Sequence, residues 1–316
     1  MATTLTNMID EVSMNLSGYT LTQDRSTYLR TLVSTITSSS TSPTILSLGS
    51  TDNVGKGIVE IDEELLWIDT YDRVGNTATV APYGRGYLGT TAATHAADAK
   101  VTISPTFPRF TIKRAINDTI NAIGSSIFAA STTTITSNAA VAAFRLPATG
   151  TTLNIRNILS VAYQSIGASK EWVPIRTWRF DSNANSTAFT SGQTISIYDA
   201  IPSGRTIQVV YSKDPTSFPE LATLASTNAQ EFTTVTGLPD SCKDLAILGA
   251  TYRLLSNLDP ARASMVSPQA DEVDNKRPYG SSQSLTKQVY ALYSQRLAEE
   301  VRSQQDKYPI RVHYSL

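Results

Sequence analysis

The chain of 316 residues has a formal net charge of -1, with 17% charged and 41% hydrophobic residues. This balance excludes the strong positive field that holds nucleic acid non-specifically. The single cysteine, Cys242, cannot form an intramolecular disulfide, and no stretch reaches the ~20 apolar residues of a membrane-spanning helix. We expect a soluble protein whose polar, weakly charged surface suits burial against other subunits.

Apolar residues at helical spacing predict a first helix that ends near Gly18. A second helix is expected to open at Thr22 and to place Leu32 and Ile36 on its apolar face. From about residue 44 to residue 104 the apolar pattern changes to a period of two, which is typical of strands. This region predicts a small β-barrel or β-sandwich.

Isoleucines at helical spacing then predict a helix from about Pro108 to Phe128. A second β region is expected from about residue 132 to residue 211, where strand patterns alternate with Asn-, Ser- and Gly-rich turns. Two helices follow, and the last of them can be capped by Ser284 and stops at Pro309. The polar loop between them, residues 259–282, is too long for a routine connection, so it is either disordered or ordered by a partner.

Neither helical end is long enough to form a good core alone. We therefore predict an α+β fold with one helical bundle, built from N-terminal, middle and C-terminal helices, and two β-barrel or β-sandwich domains inserted in its connections. The segments are N-terminal bundle helices at 1–43, a small β domain at 44–105, a bundle helix at 106–130, a second β domain at 131–215, C-terminal bundle helices at 216–307 and an extended tail at 308–316.

The stretch G-R-G-Y-L-G at residues 84–89 matches the G-x-G-x-x-G pattern of dinucleotide-binding turns. Such a site needs a helix that opens at the third glycine and a carboxylate about twenty residues later, to bind the pyrophosphate and the ribose. The segment that follows, TTAATHAADAKVTI, has no helical spacing and returns to a strand. We expect residues 84–98 to form a loop shaped by its glycines that binds no nucleotide.

Histidine and cysteine are too scarce for a zinc centre, because the chain has only His95, His313 and Cys242. We expect His95 to be a loop histidine that hydrogen-bonds the backbone. Residues 62–64 form an acidic turn, which favours a solvated hairpin over the paired carboxylates of a glycoside hydrolase. With no P-loop, nucleophile elbow or H-E-x-x-H pattern, we predict no catalytic residue, no cofactor and no metal site, and therefore no enzyme.

The segment EELLWIDTYD…NTATVAPYGRGYLGTTAATHAADAKV resembles one that recurs in tailed-bacteriophage virion proteins. The matching residues are Glu64, Arg85, Gly86, Gly89, Thr90, His95 and Val101. At the exit of the loop this chain has Asp98, where those proteins usually have glycine. The C-terminal stretches LPDSCKDLAILGATYRLL and RLAEEVRSQQDKYPIRVHY are similar to the closing helices of head-to-tail connector (adaptor) proteins of the phage neck.

This resemblance implies a structural virion protein that forms a homo-oligomeric ring, a dodecamer in many phages. The implied ring docks under the portal protein, contacts the tail, nozzle or tail-completion protein, and continues the DNA channel. Genomic DNA would pass through it during ejection without specific binding, and no membrane is involved. The implied location is the neck of the virion, after assembly in the host cytoplasm.

The C-terminal tail starts where Pro309 forbids continuation of the last helix. Apolar and polar residues alternate along it, so one face is suited to docking. The candidate interface residues are Tyr308, Ile310, Val312, Tyr314 and Leu316. We expect the tail to dock on another subunit, which the resemblance identifies with the portal; the alternative is that it folds back on its own chain.

A rival interpretation is a tail or receptor-binding virion protein whose β domains bind host glycans. In that case Trp67, Trp172 or Trp178 could serve as a sugar-binding platform, although their strand patterns favour core or interface positions. Fibre proteins are usually β-rich trimers, whereas this chain has strong helices at both ends. A ring with an axial channel would exclude the fibre interpretation.

Overall fold

A computed structural model describes residues 3–20, 29–38, 44–138, 140–146, 155–166, 170–219, 230–256 and 281–309. The fold is mixed α and β, as predicted. The chain divides into two compact units. Unit 1 comprises Met1–Thr119, Ser217–Val235 and Asp240–Arg296, and unit 2 comprises Ile120–Thr216, Thr236–Pro239 and Leu297–Leu316.

The helices lie close to their predicted places. They are α1 (Leu5–Thr20), α2 (Arg109–Ile123), α3 (Phe232–Thr236), α4 (Lys243–Ser256) and α5 (Ser281–Lys307). The apolar stripe that predicts α1 is fully buried in the protein. Helix α3 has only five residues and was not expected, and α5 begins three residues before the predicted cap. Residues 257–280, which hold most of the predicted polar loop, lie outside the described part of the chain.

In unit 1, helix α4 is packed against helices from distant parts of the sequence. It contacts α1. On another side it carries Gly249, where an added Cβ would lie 2.1 Å from Cγ2 of Thr119 in α2. Its Tyr252 ring lies 5.4 Å from the ring of Tyr293 in α5. The glycine thus permits a close approach of two helix backbones, which a larger residue would prevent.

The β part of unit 1 is a curled, half-barrel sheet of six antiparallel strands. The strands are β1 (Leu29–Thr31), β2 (Thr44–Ser47), β3 (Gly57–Ile61), β4 (Glu64–Asp72), β5 (Thr77–Val80) and β6 (Lys100–Ile103), in the order β1-β6-β3-β4-β5-β2. The two outer strands approach each other, because Leu32 forms a bridge with Leu48. Alternate residues point into one apolar core, which includes Leu46, Val59, Ile61, Leu66, Ile68, Val80 and Val101.

The predicted second helix is wrong over its described residues. Residues 29–31 form strand β1, and Ile36 forms a bridge with His95. The apolar side chains of Leu32 and Ile36, four residues apart, fit a period of two as well as a helix. The stretch is rich in β-branched residues, and the curled sheet buries both side chains, so tertiary packing decides for the extended form. Residues 21–28 lie outside the described part of the chain.

Unit 2 contains two antiparallel sheets that share one apolar core. The strands are β7 (Ala129–Thr136), β8 (Ala143–Arg145), β9 (Ile155–Gln164), β10 (Trp172–Pro174), β11 (Trp178–Asp181), β12 (Thr194–Ile197) and β13 (Thr206–Lys213). One sheet has the order β10-β9-β13-β7 and the other β11-β12-β8. The segment 172–180 is split between the sheets: Val173 pairs with Tyr163, and Trp178 pairs with Ile197.

Candidate functional site

A buried polar cluster joins the hairpin between β3 and β4 to the loop 84–98. Ile61 pairs with Glu64, so the hairpin turn consists of Asp62 and Glu63. Asp62 has a φ of 56°, a conformation that aspartate tolerates better than most residues. The turn directs the side chain of Glu64 into the protein, where it is fully buried. We call Asp62, Glu64, Arg85 and His95 the Glu64 clamp.

The carboxylate of Glu64 is bound by donors from four different residues. Arg85 is bidentate, with Nε donating to Oε1 at 2.7 Å and an Nη to Oε2 at 2.9 Å. The backbone N–H groups of Gly86 and Ala93 donate to the two oxygens at 3.0 and 2.9 Å. Burial alone would raise the pKa of Glu64, but the bonds from Arg85, His95 and the two amides lower it to about 2. Glu64 is therefore ionised, and its lone pairs are occupied.

His95 lies between two carboxylates. Its Nδ1 is 2.7 Å from Oδ2 of Asp62, and its Nε2 is 2.8 Å from Oε2 of Glu64. Burial acts to lower the pKa of His95, but the two carboxylates outweigh it, so the pKa is raised above 6.5. As an imidazolium, His95 donates from both nitrogens, and the two positive charges of the clamp balance its two negative charges.

Arg85 also connects the loop to the segment between strands β1 and β2 of the half-barrel sheet. Its remaining guanidinium donors bind the carbonyl oxygens of Thr37 and Ala93. Thr90 adds a further link, since its hydroxyl oxygen accepts from Leu65 N–H at 3.1 Å. The planar guanidinium thus bonds a β-strand side chain, an N-terminal segment and the loop itself, an arrangement that lysine could not reproduce.

The glycines of the 84–89 stretch shape the loop, as predicted. Gly86 has a φ of 63°, and an added Cβ would lie 2.7 Å from the carbonyl oxygen of Thr90. The helical turn that follows, Tyr87–Gly89, has three residues and a left-handed break at Leu88. Residues 90–99 then contain an isolated bridge at His95 and a turn at 97–98, but no helix, before strand β6 begins. Arg85, between the first two glycines, points to Glu64, and the stretch lacks the helix N-terminus on which a pyrophosphate would rest.

Two of the expectations for this region are wrong. The acidic turn is not a solvated hairpin, because Glu63 and Glu64 are only 5% and 0% exposed, although Asp62 is half-exposed. The His95 ring bonds carboxylates rather than the backbone, and only its backbone groups pair with Ile36. A buried carboxylate is thus present, but it is inaccessible and saturated with donors, as suits a structural lock. Among the described residues, no three His, Cys, Asp or Glu side chains are placed to hold a metal ion.

A second buried polar group lies beside the clamp. Lys113 Nζ in α2 is 3.4 Å from Oε2 of Glu63, and both side chains are almost fully buried. Glu60 in β3 accepts the backbone N–H of Arg109 at the start of α2. Burial raises the pKa of Glu60, whereas this bond and the charge of Arg109 lower it. Burial has the larger effect, and the pKa is raised to about 7. These contacts attach the hairpin to the helix that follows the barrel.

The comparison with known families decides which class of protein carries this clamp. A family model described as SU10 adaptor protein matches residues 88–312, more than half of the chain. The chain belongs to the SU10 adaptor protein family. No curated protein matches it significantly. The match begins inside the loop 84–98, so it includes Thr90 and His95 of the clamp region, and it continues to residue 312, beyond the end of α5.

Membership in this adaptor family confirms the coarse part of the functional prediction. It supports a structural adaptor protein of a phage, a component of the virion that contacts other virion proteins. It also suggests a role other than catalysis. Of the helices that the structure describes, none combines the length and the apolar character that crossing a membrane requires.

The predicted interface residues of this adaptor are only partly described. Tyr308 lies against Phe128, with ring centroids 5.8 Å apart, and Lys307 Nζ lies 5.5 Å from the Tyr308 ring. The other candidates, Ile310, Val312, Tyr314 and Leu316, lie outside the described residues. The tryptophans are dispersed: Trp67 contacts Tyr87 beside the clamp, whereas Trp172 and Trp178 lie in different sheets of unit 2.

Proposed function

We propose that this adaptor is a head-to-tail connector, a ring that joins the portal to the tail and continues the DNA channel. The observation that carries the proposal is the family match over residues 88–312. The Glu64 clamp supports it, because a fully bonded, buried polar lock stabilises a rigid loop and offers no open group for chemistry. The resemblance to neck proteins supports a dodecamer, with the portal and a tail-completion or nozzle protein as neighbours.

The ring is tested by imaging the purified protein and labelled virions in negative stain, with native mass spectrometry for the copy number. We expect closed rings with an axial channel, and label at the junction of head and tail. A trimeric fibre, or label at the distal end of the tail, would refute the connector and favour the glycan-binding rival.

We infer that α1, α2, α4 and α5 form one bundle in which the two β domains are insertions. The contacts of α4 with α1, with Thr119 and with Tyr293 support this arrangement. Because β1 belongs to the first sheet, the segment to remove in a test is 29–105. Replacement of this segment by a Gly/Ser linker should leave a helical protein that melts cooperatively, and loss of all cooperative melting would contradict the bundle.

We propose that DNA passes through the ring without being held. The net charge of -1 supports this, because strong non-specific binding requires many Lys and Arg contacts to phosphates. Duplex binding in a mobility-shift titration at physiological salt should be very weak. Tight binding with a steep salt dependence would refute it.

The tail residues Tyr308, Ile310, Val312, Tyr314 and Leu316 are proposed as the interface with the portal in the assembled particle. Truncation after Pro309 retains the contact between Tyr308 and Phe128. The truncated protein should still fold but fail to join filled heads in an assembly assay. Wild-type incorporation would contradict this role.

A further inference from the structure

Strand β7 presents a long, regular edge with which none of the described strands pairs. It lies at the end of its sheet and pairs with β13 over all eight residues, without a register shift. Its sequence, AASTTTIT, has no charged residue and no proline. The opposite edge of the same sheet, β10, has three residues and ends at Pro174. Natural sheets usually protect an edge with charges, proline, bulges or a covering segment. Because β7 has no charge, no proline and no bulge, only a covering segment could protect it.

The C-terminal end of α5 is fixed beside the start of this edge. Gln304 bonds both backbone groups of Phe128, accepting from its N–H at 3.1 Å and donating to its carbonyl at 2.7 Å. Tyr308 then packs on the Phe128 ring. Phe128 immediately precedes β7, so the C-terminal end of α5 lies beside the start of this strand.

Residues 310–316 fit the edge in span, direction and pattern. As an extended strand, residues 310–316 would span roughly 23 Å, close to the length of β7. A segment that leaves Phe128 along β7 runs parallel to it. The alternation of the tail also matches, since Ser131, Thr133 and Ile135 of β7 face inward and Thr132 and Thr134 are exposed. Three apolar tail residues, Ile310, Val312 and Tyr314, can thus continue the inward face.

We propose that, in the free subunit, residues 310–316 add to the edge of β7 in their own chain as a parallel strand. The tail then satisfies the outward backbone groups of the strand and covers an edge that would otherwise pair with other copies. Docking on the portal in the particle would require release of this strand. The inference does not depend on the connector role, because it concerns the purified subunit alone.

Disulfide cross-linking tests the proposal directly. The single native cysteine, Cys242, is buried. The double variant Thr134→Cys with His313→Cys would place both cysteines on the exposed face of the proposed strand pair, so mild oxidation should give a cross-link within one chain. Neighbouring pairs with Thr132→Cys or Thr136→Cys allow for a shift in register. The matched control is Glu171→Cys with His313→Cys, at the opposite edge of the sheet, which should give no cross-link.

Each other outcome would overturn the proposal. A cross-linked dimer of the double variant would show that the tail docks on another copy. A dimer of the single variant Thr134→Cys would show edge-to-edge pairing. Absence of a cross-link for every tested position of β7 would place the tail elsewhere.

A second measurement requires no cross-link. Trypsin cleavage after Arg311 should be slow in the wild type and about tenfold faster in Tyr314→Pro, because proline removes a backbone donor from the added strand. The control Tyr314→Val, which keeps the donor and favours a strand, should be cleaved at close to the wild-type rate. Equal rates for all three proteins would contradict docking.

Discussion

Removal of Arg85 is the most direct test of the clamp. In Arg85→Met the carboxylate of Glu64 stays fully buried but loses its two guanidinium bonds of 2.7 and 2.9 Å. Breaking a buried ion pair from one side typically costs about 3–5 kcal/mol, because the remaining charge is left without its partner. We expect a loss of this size in the unfolding free energy of unit 1.

Urea unfolding can be followed through Trp67, which lies next to the clamp loop through its contact with Tyr87. A background of Trp172→Phe and Trp178→Phe removes the signal of unit 2. The matched control is Lys56→Met, which breaks a surface pair with Asp69 whose side chains are 64% and 46% exposed. That change should cost no more than about 1 kcal/mol.

The double variant Glu64→Gln with Arg85→Met separates the pair from its surroundings. Because no buried charge is then left unpaired, it should lose less than the sum of the single losses. A loss below about 1 kcal/mol for Arg85→Met alone would refute the view that the clamp stabilises unit 1.

Three further predictions concern the same unit. The pKa of His95 is raised above 6.5, so its contribution to stability is complete below that pH and is lost as the pH rises through the native pKa. The difference in unfolding free energy between wild type and His95→Gln should therefore shrink above pH 6.5. A difference independent of pH would contradict an imidazolium. Glu60, with its pKa of about 7, titrates in both proteins and cancels in that difference. Gly249→Ala should lower the unfolding free energy by about 1–3 kcal/mol through overpacking against α2, whereas Gly55→Ala, with open space around it, should lower it far less. Equal losses would contradict a close approach of α4 and α2 at Gly249. Calorimetric titration with NAD or ATP should give no heat of binding, and micromolar affinity would show that the loop 84–98 binds a nucleotide after all.

Local patterns were sufficient to predict most elements of the fold. The strands of both β regions follow from alternation, and α1, α2 and α4 follow from helical spacing. The wrong helix prediction at Leu32 and Ile36 has a physical cause. Two apolar residues four apart fit both a helix and a strand, and only packing in the half-barrel sheet decides between them. Similarly, the strand pattern at 172–180 continues across a change of sheet that tertiary packing imposes.

The clamp could not be deduced from local pattern, because its members are far apart in the chain and acidic residues in a turn are usually solvated. One signal was available. The residues that carry the resemblance to tailed-bacteriophage virion proteins include Glu64, Arg85, Gly86, Thr90 and His95. Of these, Arg85, Gly86 and His95 bond the buried carboxylate of Glu64, and Thr90 bonds the backbone of the next residue, Leu65. The contacts between these distant residues are visible only once the sheet brings them together.

The clamp also gives this adaptor a particular relation to its redox surroundings. Its bonds join residues 21, 31 and 48 positions apart, the separations over which a disulfide would restrict an unfolded chain. A chain with one cysteine obtains these ties without sulfur chemistry. The half-barrel sheet should therefore keep the same stability in reducing and in oxidising solution. A rise in pH, rather than a thiol reductant, is the change in solution that weakens the bonds of the loop.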